Sequence, residues 1–316
     1  MRPKLTIAIP TYNRVDKLLI CIERVLQQTE GKPVDLVIVD NASTDATQEI
    51  LEKINNNRFS YYRNDTNVGP DKNFLRGYEV ATGEYVMLLG DDDYLLPGAI
   101  DSILNALSKN PVMVYSDSCS LKKEKPFKYS KSRFDDIGLC IYEDKDQFFE
   151  QVDIFVTFMS AMVLKTDSVR KIQNKEQYIG TYFIQSYIAF EVMKEPGIYI
   201  VNTHNCIAAS PNRTVGYDLY FVWGEQYHKL LFEKGISSGV SREMIETVYQ
   251  RDMSTIIYDF VLSFRITCKN EKSWKKEYIL NHTLKYNNLR EKYDKAVNGS
   301  LIYVFIIKIL RMVGLK

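Results

Sequence analysis

The sequence has no CxxC pair and only three histidines, and its five cysteines, Cys21, Cys119, Cys140, Cys206 and Cys268, are scattered. That pattern supplies neither a zinc site nor a disulfide framework and fits a reducing compartment. Charge of one sign is also missing, with 41 Lys and Arg against 40 Asp and Glu. So even a balance lacks the electrostatic footprint of a nucleic-acid partner. No GxGxxG opens the first helical segment, which argues against a dinucleotide oxidoreductase. No apolar run reaches the roughly 20 residues that a membrane span requires. The opening MRPKLTIAIP lacks the order of a signal peptide, so a cytoplasmic protein is expected. An apolar fraction of 45% is enough for a substantial core.

Strand and helix signals alternate through the first part. LTIAIP (5–10), DLVIVD (35–40), FSYY (59–62), Tyr85–Leu89 and VMVYSD (112–117) read as strands. Between them, helical spacing appears in Leu18, Leu19, Ile22, Val25 and Leu26, in Ile50, Leu51 and Ile54, and over 71–81 and 99–107. This alternation predicts an α/β fold with a doubly wound parallel sheet. After Asp117 the basic stretch CSLKKEKPFKYSKSRFDD reads as a hairpin or exposed loop, MSAMVL (159–164) and GIYIVN (197–202) as strands, and 182–192 as a helix. The expected division is 1–212, with halves 1–117 and 118–212, followed by a helical region 213–316. Its tail, LIYVFIIKILRMVGLK (301–316), combines apolar residues with Lys308, Arg311 and Lys316. It reads either as an interfacial helix on a membrane or as a helix packed on the body or in an oligomer interface.

Three consecutive acids, Asp91, Asp92 and Asp93, follow the fourth strand. Open α/β sheets bind ligands at the carboxyl ends of their strands. Hard carboxylate oxygens there suit Mg²⁺ or Mn²⁺ shared with substrate phosphates, the other reading being a solvated acidic turn. Three more strand-end loops join the triplet: Pro10-Thr11-Tyr12-Asn13-Arg14, Asp40-Asn41-Ala42-Ser43 and RNDTNVGPDKNFLRG (63–77). Tyr12 can stack on a base, Asp40 can accept from a base or ribose, and Lys72 or Arg76 can meet phosphate. Asn13 and Ser43 can equally be helix caps, and Asn67-Val68-Gly69 a turn.

In the order IAIPTYNR, VIVDNASTD, NVGPDKNFLRGYEVATGEYVMLLGDDD and YLLPGAI, the chain resembles the family 2 glycosyltransferases of GT-A fold. The resemblance implies a Rossmann-like, mostly parallel sheet with flanking helices and a C-terminal helical appendage. It also implies transfer of a sugar from a nucleoside-diphosphate sugar to a glycan or lipid-linked saccharide in bacterial polysaccharide synthesis, with inversion, at the inner face of the plasma membrane. Pro10, Thr11, Tyr12 and Asp40 match donor-nucleotide positions, with Asn13, Asn67, Lys72, Arg76 and Asp91 beside them. Asp92 and Asp93 match the metal-holding DxD-type acids, and Mn²⁺ or Mg²⁺ is the implied cofactor. Gly90 stands where the family's first acid falls, with Asp91 as its substitute. Phe74 stands where an arginine is common, leaving Lys72, Asn73 or Arg76 to replace it. The family's acidic general base, often an ED pair, has no counterpart in YIGTYFIQSYIAFEV, so Asp153 and Glu191 are the candidates. His204 is a candidate further metal or phosphate contact, and Arg213 a cationic lid over the diphosphate. The competing reading is a degenerate member that binds a nucleotide sugar and acts as a scaffold.

Overall fold

The structure, a computed structural model, describes residues 2–54, 57–124, 127–210, 217–267 and 274–312. The chain divides into two compact units, Met1–Gly180 with Ile184–Pro211, and Thr181–Phe183 with Asn212–Lys316.

The first unit is built on one mixed sheet. Its first half is β1 (Leu5–Thr11), β2 (Val34–Asp40), β3 (Phe59–Arg63) and β4 (Tyr85–Leu88), side by side in the order β3-β2-β1-β4 and all parallel. Every residue of β1 and β4 is buried, as expected for strands covered on both faces. The covering helices are α1 (Val15–Thr29), α2 (Thr47–Leu51), α3 (Pro70–Val80) and α4 (Ala99–Leu107). In α1, Leu18, Cys21, Ile22, Val25 and Thr29 are buried at three- and four-residue intervals, which aims one stripe at the core. Gly69, at φ 85°, turns the chain into α3, and Pro70 takes the first helical turn, where a missing N–H is harmless.

The second half departs from a purely parallel sheet. It adds β5 (Tyr94–Leu95), β6 (Met113–Glu124), β7 (Phe127–Tyr129), β8 (Leu139–Tyr142), β9 (Met162–Lys165) and β10 (Tyr199–Ala209). Strand β9 lies between β4 and β6 and runs antiparallel to both, whereas β6 and β10 are parallel. Two reversals restore direction, so β6 ends on the same edge as β4. Residues 159–161 of the expected MSAMVL strand form a 3-10 turn instead, and pairing begins at Met162. The start of the basic stretch continues β6 and pairs with β7 as a hairpin. Helices α5 (Lys145–Val152), α6 (Thr166–Lys171) and α7 (Ile184–Val192) complete this half.

The second unit is helical, with its longest segments at Arg242–Ser254, Ile256–Thr267, Asn287–Asn298 and Leu301–Met312. Buried Tyr249, Val261, Leu262 and Tyr293 form much of its core. Ser241 caps the first of these helices by accepting a hydrogen bond from Met244 N at 3.1 Å.

Candidate active site

The carboxyl ends of β1, β2, β3 and β4 deliver four loops to one edge, and their side chains interlock. Thr11 Oγ1 donates to Asp91 Oδ2 at 2.8 Å, joining the first loop to the acid triplet. Asn13, in a left-handed conformation at φ 53°, accepts from Thr44 N at 2.7 Å, and its own N–H donates to Ser43 Oγ at 2.9 Å. Its role is therefore to tie the first loop to the second, not to cap α1. Pro10 is buried in β1 opposite Val39, while Tyr12 is 42% exposed.

Asp40 is wholly buried at the end of β2. Its Oδ1 accepts from Ser43 N at 2.9 Å, and its Oδ2 accepts from Tyr61 Oη at 2.8 Å and from Arg63. Three donors leave little of the carboxylate's accepting capacity for a ligand. Beside it lies an asparagine network absent from the sequence-based expectations. Asn41 Nδ2 donates to Asn67 Oδ1 at 2.9 Å, Asn64 Nδ2 donates to Asn41 at 3.0 Å and to Asn73 at 2.9 Å, and Arg76 donates to Asn64 Oδ1 at 2.8 Å. Asn67 and Arg76 are thus engaged within the loop framework, whereas Lys72 is exposed on the first turn of α3. The only sequence signal was the recurrence of Asn just after strand ends, at 41 and 64.

The three acids have three different environments. Asp93 is buried, accepts from Ser160 Oγ at 2.6 Å and from Ser210 N at 2.9 Å, and is pushed up to about 7, chiefly by burial. Asp91 is buried and raised by burial, an effect opposed by Arg14. Asp92 is the acid that faces outward, with a quarter of its side chain exposed. Arg14 spans the first two acids, 2.7 Å from Asp91 and 3.2 Å from Asp92. A Cβ at Gly90 would meet Asp93 Oδ2 at 2.7 Å and Ser160 Oγ at 3.4 Å. An acid at position 90 therefore has no room while Asp93 keeps its place.

Among the described residues, no three His, Cys, Asp or Glu side chains converge as a metal cage. A Mg²⁺ or Mn²⁺ ion bound with phosphates and waters needs only one or two protein carboxylates. Asp92, with Asp91 beside it, fits that donor set, whereas Asp93 faces its own hydrogen-bond partners. His204 sits on β10 at the break in register between Asn202 and Ile207, with Nδ1 3.1 Å from Asn202 Oδ1. Its backbone N–H and its ring both turn to Asn202 rather than to the triplet. Arg213 lies outside the described residues.

Matching the chain against family models decides its kinship: residues 6–172 match "Glycosyl transferase family 2". The chain belongs to this glycosyltransferase family. Among curated family 2 relatives, it is 28% identical over 207 residues to the abequosyltransferase RfbV of Salmonella typhimurium. It is 26% identical over 201 residues to a Campylobacter jejuni GalNAc(5)-diNAcBac-PP-undecaprenol beta-1,3-glucosyltransferase. The two matches cover 61% and 63% of the chain and 62% of each relative. Among solved structures, TarS 1–349 of S. aureus with UDP-GlcNAc superposes with a TM-score of 0.66 at 14% identity, covering 99% of this chain and 92% of that one. The mannosyltransferase PcManGT of Pyrobaculum calidifontis with GDP-Man and Mn²⁺ gives 0.55 at 14% identity, covering 100% and 89%. These likenesses place the glycosyltransferase family 2 chain in the GT-A fold.

Neither sequence candidate for the base stands free. Asp153 pairs with Arg133 at 3.3 Å, and Glu191 accepts from Tyr178 Oη at 2.8 Å and pairs with Lys194 at 2.8 Å. Glu191 also lies about 10 Å along α7 from its first residue, at 1.5 Å per residue. A third carboxylate, Asp117, was passed over although it ends the VMVYSD strand just as Asp40 ends DLVIVD. Tyr115 pairs with Met162, and Met87 with the adjacent Val163, so Asp117 stands level with Gly90. Two strand spacings put it about 10 Å away on the same edge. Asp117 is wholly buried under Ser132 and Arg133, its Oδ1 faces Arg133 Nε at 3.8 Å without a hydrogen bond among the described residues, and burial raises its pKa.

Proposed function

We propose that the protein transfers a sugar from a nucleoside-diphosphate sugar to a lipid-linked saccharide during bacterial polysaccharide synthesis, with metal assistance and inversion, at the inner face of the plasma membrane. The observation that carries this reading is the division of labour within the acid triplet. Asp91 and Asp93 are buried against Thr11, Ser160 and Ser210, while Asp92, paired with Arg14 at 3.2 Å, keeps a quarter of its side chain exposed on the ligand-binding edge. Family membership and the two named relatives support the reaction class and the kind of acceptor.

In this reading Tyr12 stacks on the base, and Asp40, through its remaining lone pair, orients the nucleoside. Lys72 and Arg14 meet the diphosphate. Asp92 and Asp91 would hold a divalent ion, which when bound supplies charge neutralisation for the departing diphosphate. The acceptor hydroxyl oxygen forms the new bond to the anomeric carbon as the bond to the diphosphate breaks, and the leaving nucleoside diphosphate takes the electron pair. The hydroxyl proton passes to an acceptor-side carboxylate, and we assign that task to Asp117. Ser132 and Arg133 must move off Asp117 for an acceptor to reach it.

The test is turnover of a panel of nucleotide sugars with Mn²⁺, Mg²⁺ or EDTA, comparing the wild type with Asp92→Asn. Metal-dependent release of one nucleoside diphosphate, lost in the variant, is the expected result. Tight donor binding without transfer or hydrolysis across donors and acceptors would instead favour a scaffold that holds a nucleotide sugar.

A further inference from the structure

The helix Leu301–Met312 reverses the usual arrangement of a surface helix. Val304 is its buried residue, and Ile307, Lys308 and Arg311 share that inner face at three- and four-residue spacing. The outward face is apolar throughout: Ile302 is 74% exposed, Phe305 53%, Ile306 49% and Ile309 44%, with Leu301, Leu310 and Met312 extending the patch. A helix that ends its folding in water normally turns its charged residues outward. Here Arg311 is instead turned in to Asp259, at 2.6 Å, on the neighbouring helix Ile256–Thr267.

The charge along this segment has one sign, while Asp259 and Glu291 on the neighbouring helices pair with its Arg311 and with Lys295. From Lys295 to Lys316 the sequence holds Lys295, Lys308, Arg311 and Lys316 and no Asp or Glu, although the whole chain is balanced. Lys292 and Arg311 both lie over the Tyr258 ring, 4.3 and 5.3 Å from its centroid, which gathers cations along one flank of the helix. At 12 residues the helix is too short to cross a bilayer, and among the described residues no helix is long and apolar enough to do so.

From the outward apolar face and its basic flank we infer that this helix docks in the plane of an anionic lipid bilayer. Ile302, Phe305 and Ile309 enter the boundary between headgroups and acyl chains, while the flanking lysines meet lipid phosphates. A second copy of the chain would cover the apolar side chains but would set like charges against one another across a two-fold contact, which favours lipid as the occupant. The inference stands apart from sugar transfer, since docking needs neither donor nor acceptor.

The experiment is co-sedimentation of the full chain with vesicles of phosphatidylcholine alone or mixed with phosphatidylglycerol, at low and high salt. The wild type is expected to sediment with the anionic vesicles, less with the neutral ones, and less at high salt as the lysines are screened. The double variant Phe305→Asp with Ile309→Asp is expected to lose partitioning by about tenfold or more. Its circular dichroism and melting should stay those of the wild type, because both side chains already face water. Failure of the wild type to bind anionic vesicles would overturn the inference, as would equal binding by the double variant. So would a wild-type dimer that the double variant converts to monomer when neither protein binds vesicles; that result assigns the face to a second copy.

Discussion

The half of the sheet that we propose takes the donor, β1 to β4, and the half that we propose takes the acceptor, β6 to β10, are held together in different ways. Around the donor edge each functional loop is one contiguous piece, and the pieces lock together through neighbours of neighbours: Thr11 to Asp91, Asn13 to Thr44, Asn41 to Asn67. Around the other edge Asp117, Ser132, Arg133 and Asp153 hold one another within a single stretch of chain, and that edge is joined to β4 only through the intervening β9. A donor carries invariant parts, a base and a diphosphate, that short motifs can recognise. An acceptor site must be shaped to one saccharide, and its residues carry no common spacing.

Four measurements would break or sharpen this contrast. The largest effect is expected at Asp92→Asn, which should lower kcat by about a thousandfold with the fold intact. Transfer that survived this change would move the donor chemistry off the triplet. Asp117→Asn should lower transfer by about a hundredfold or more while leaving nucleotide-sugar affinity near wild type. Loss of donor affinity in that variant would show that the two edges do not divide the work.

Asp93 provides the third measurement. Its folded pKa is about 7, against about 3.9 for an unfolded aspartate. Between those values the folded chain holds the proton that the unfolded chain has lost, so stability falls as pH rises from about 4 through 7. Melting in EDTA should therefore decline by a few degrees between pH 5 and pH 8, and Asp93→Asn should flatten that slope. The smallest effect is expected at Glu191→Gln. With its carboxylate held by Tyr178 and Lys194, kcat should change by less than about twofold. A hundredfold loss there would return the base to α7.

The same contrast sets what could be read in the residues alone. The donor strands, their helices and the acid triplet follow from apolar periodicity and turn residues, which act within a few positions along the chain. Strand β9 could not be oriented that way, because direction in a sheet is decided by partners dozens of residues away, here Tyr85–Met87 and Met113–Tyr115. The outward pose of Asp92 was equally hidden, since it depends on Ser160 and Ser210 claiming Asp93. Asp117 was visible as an acid ending a strand, but its level with Gly90 becomes apparent only once β9 is in place.

The position of Arg14 bears on the sequence of events at the donor edge. A tethered guanidinium already sits against Asp91 and Asp92, so a free divalent ion arriving alone competes with a cation that never diffuses away. An incoming diphosphate offers Arg14 a new partner and uncovers the carboxylates in the same movement. On the proposed reading nucleotide and ion would therefore load together, and without a donor the edge would rest as a neutralised latch.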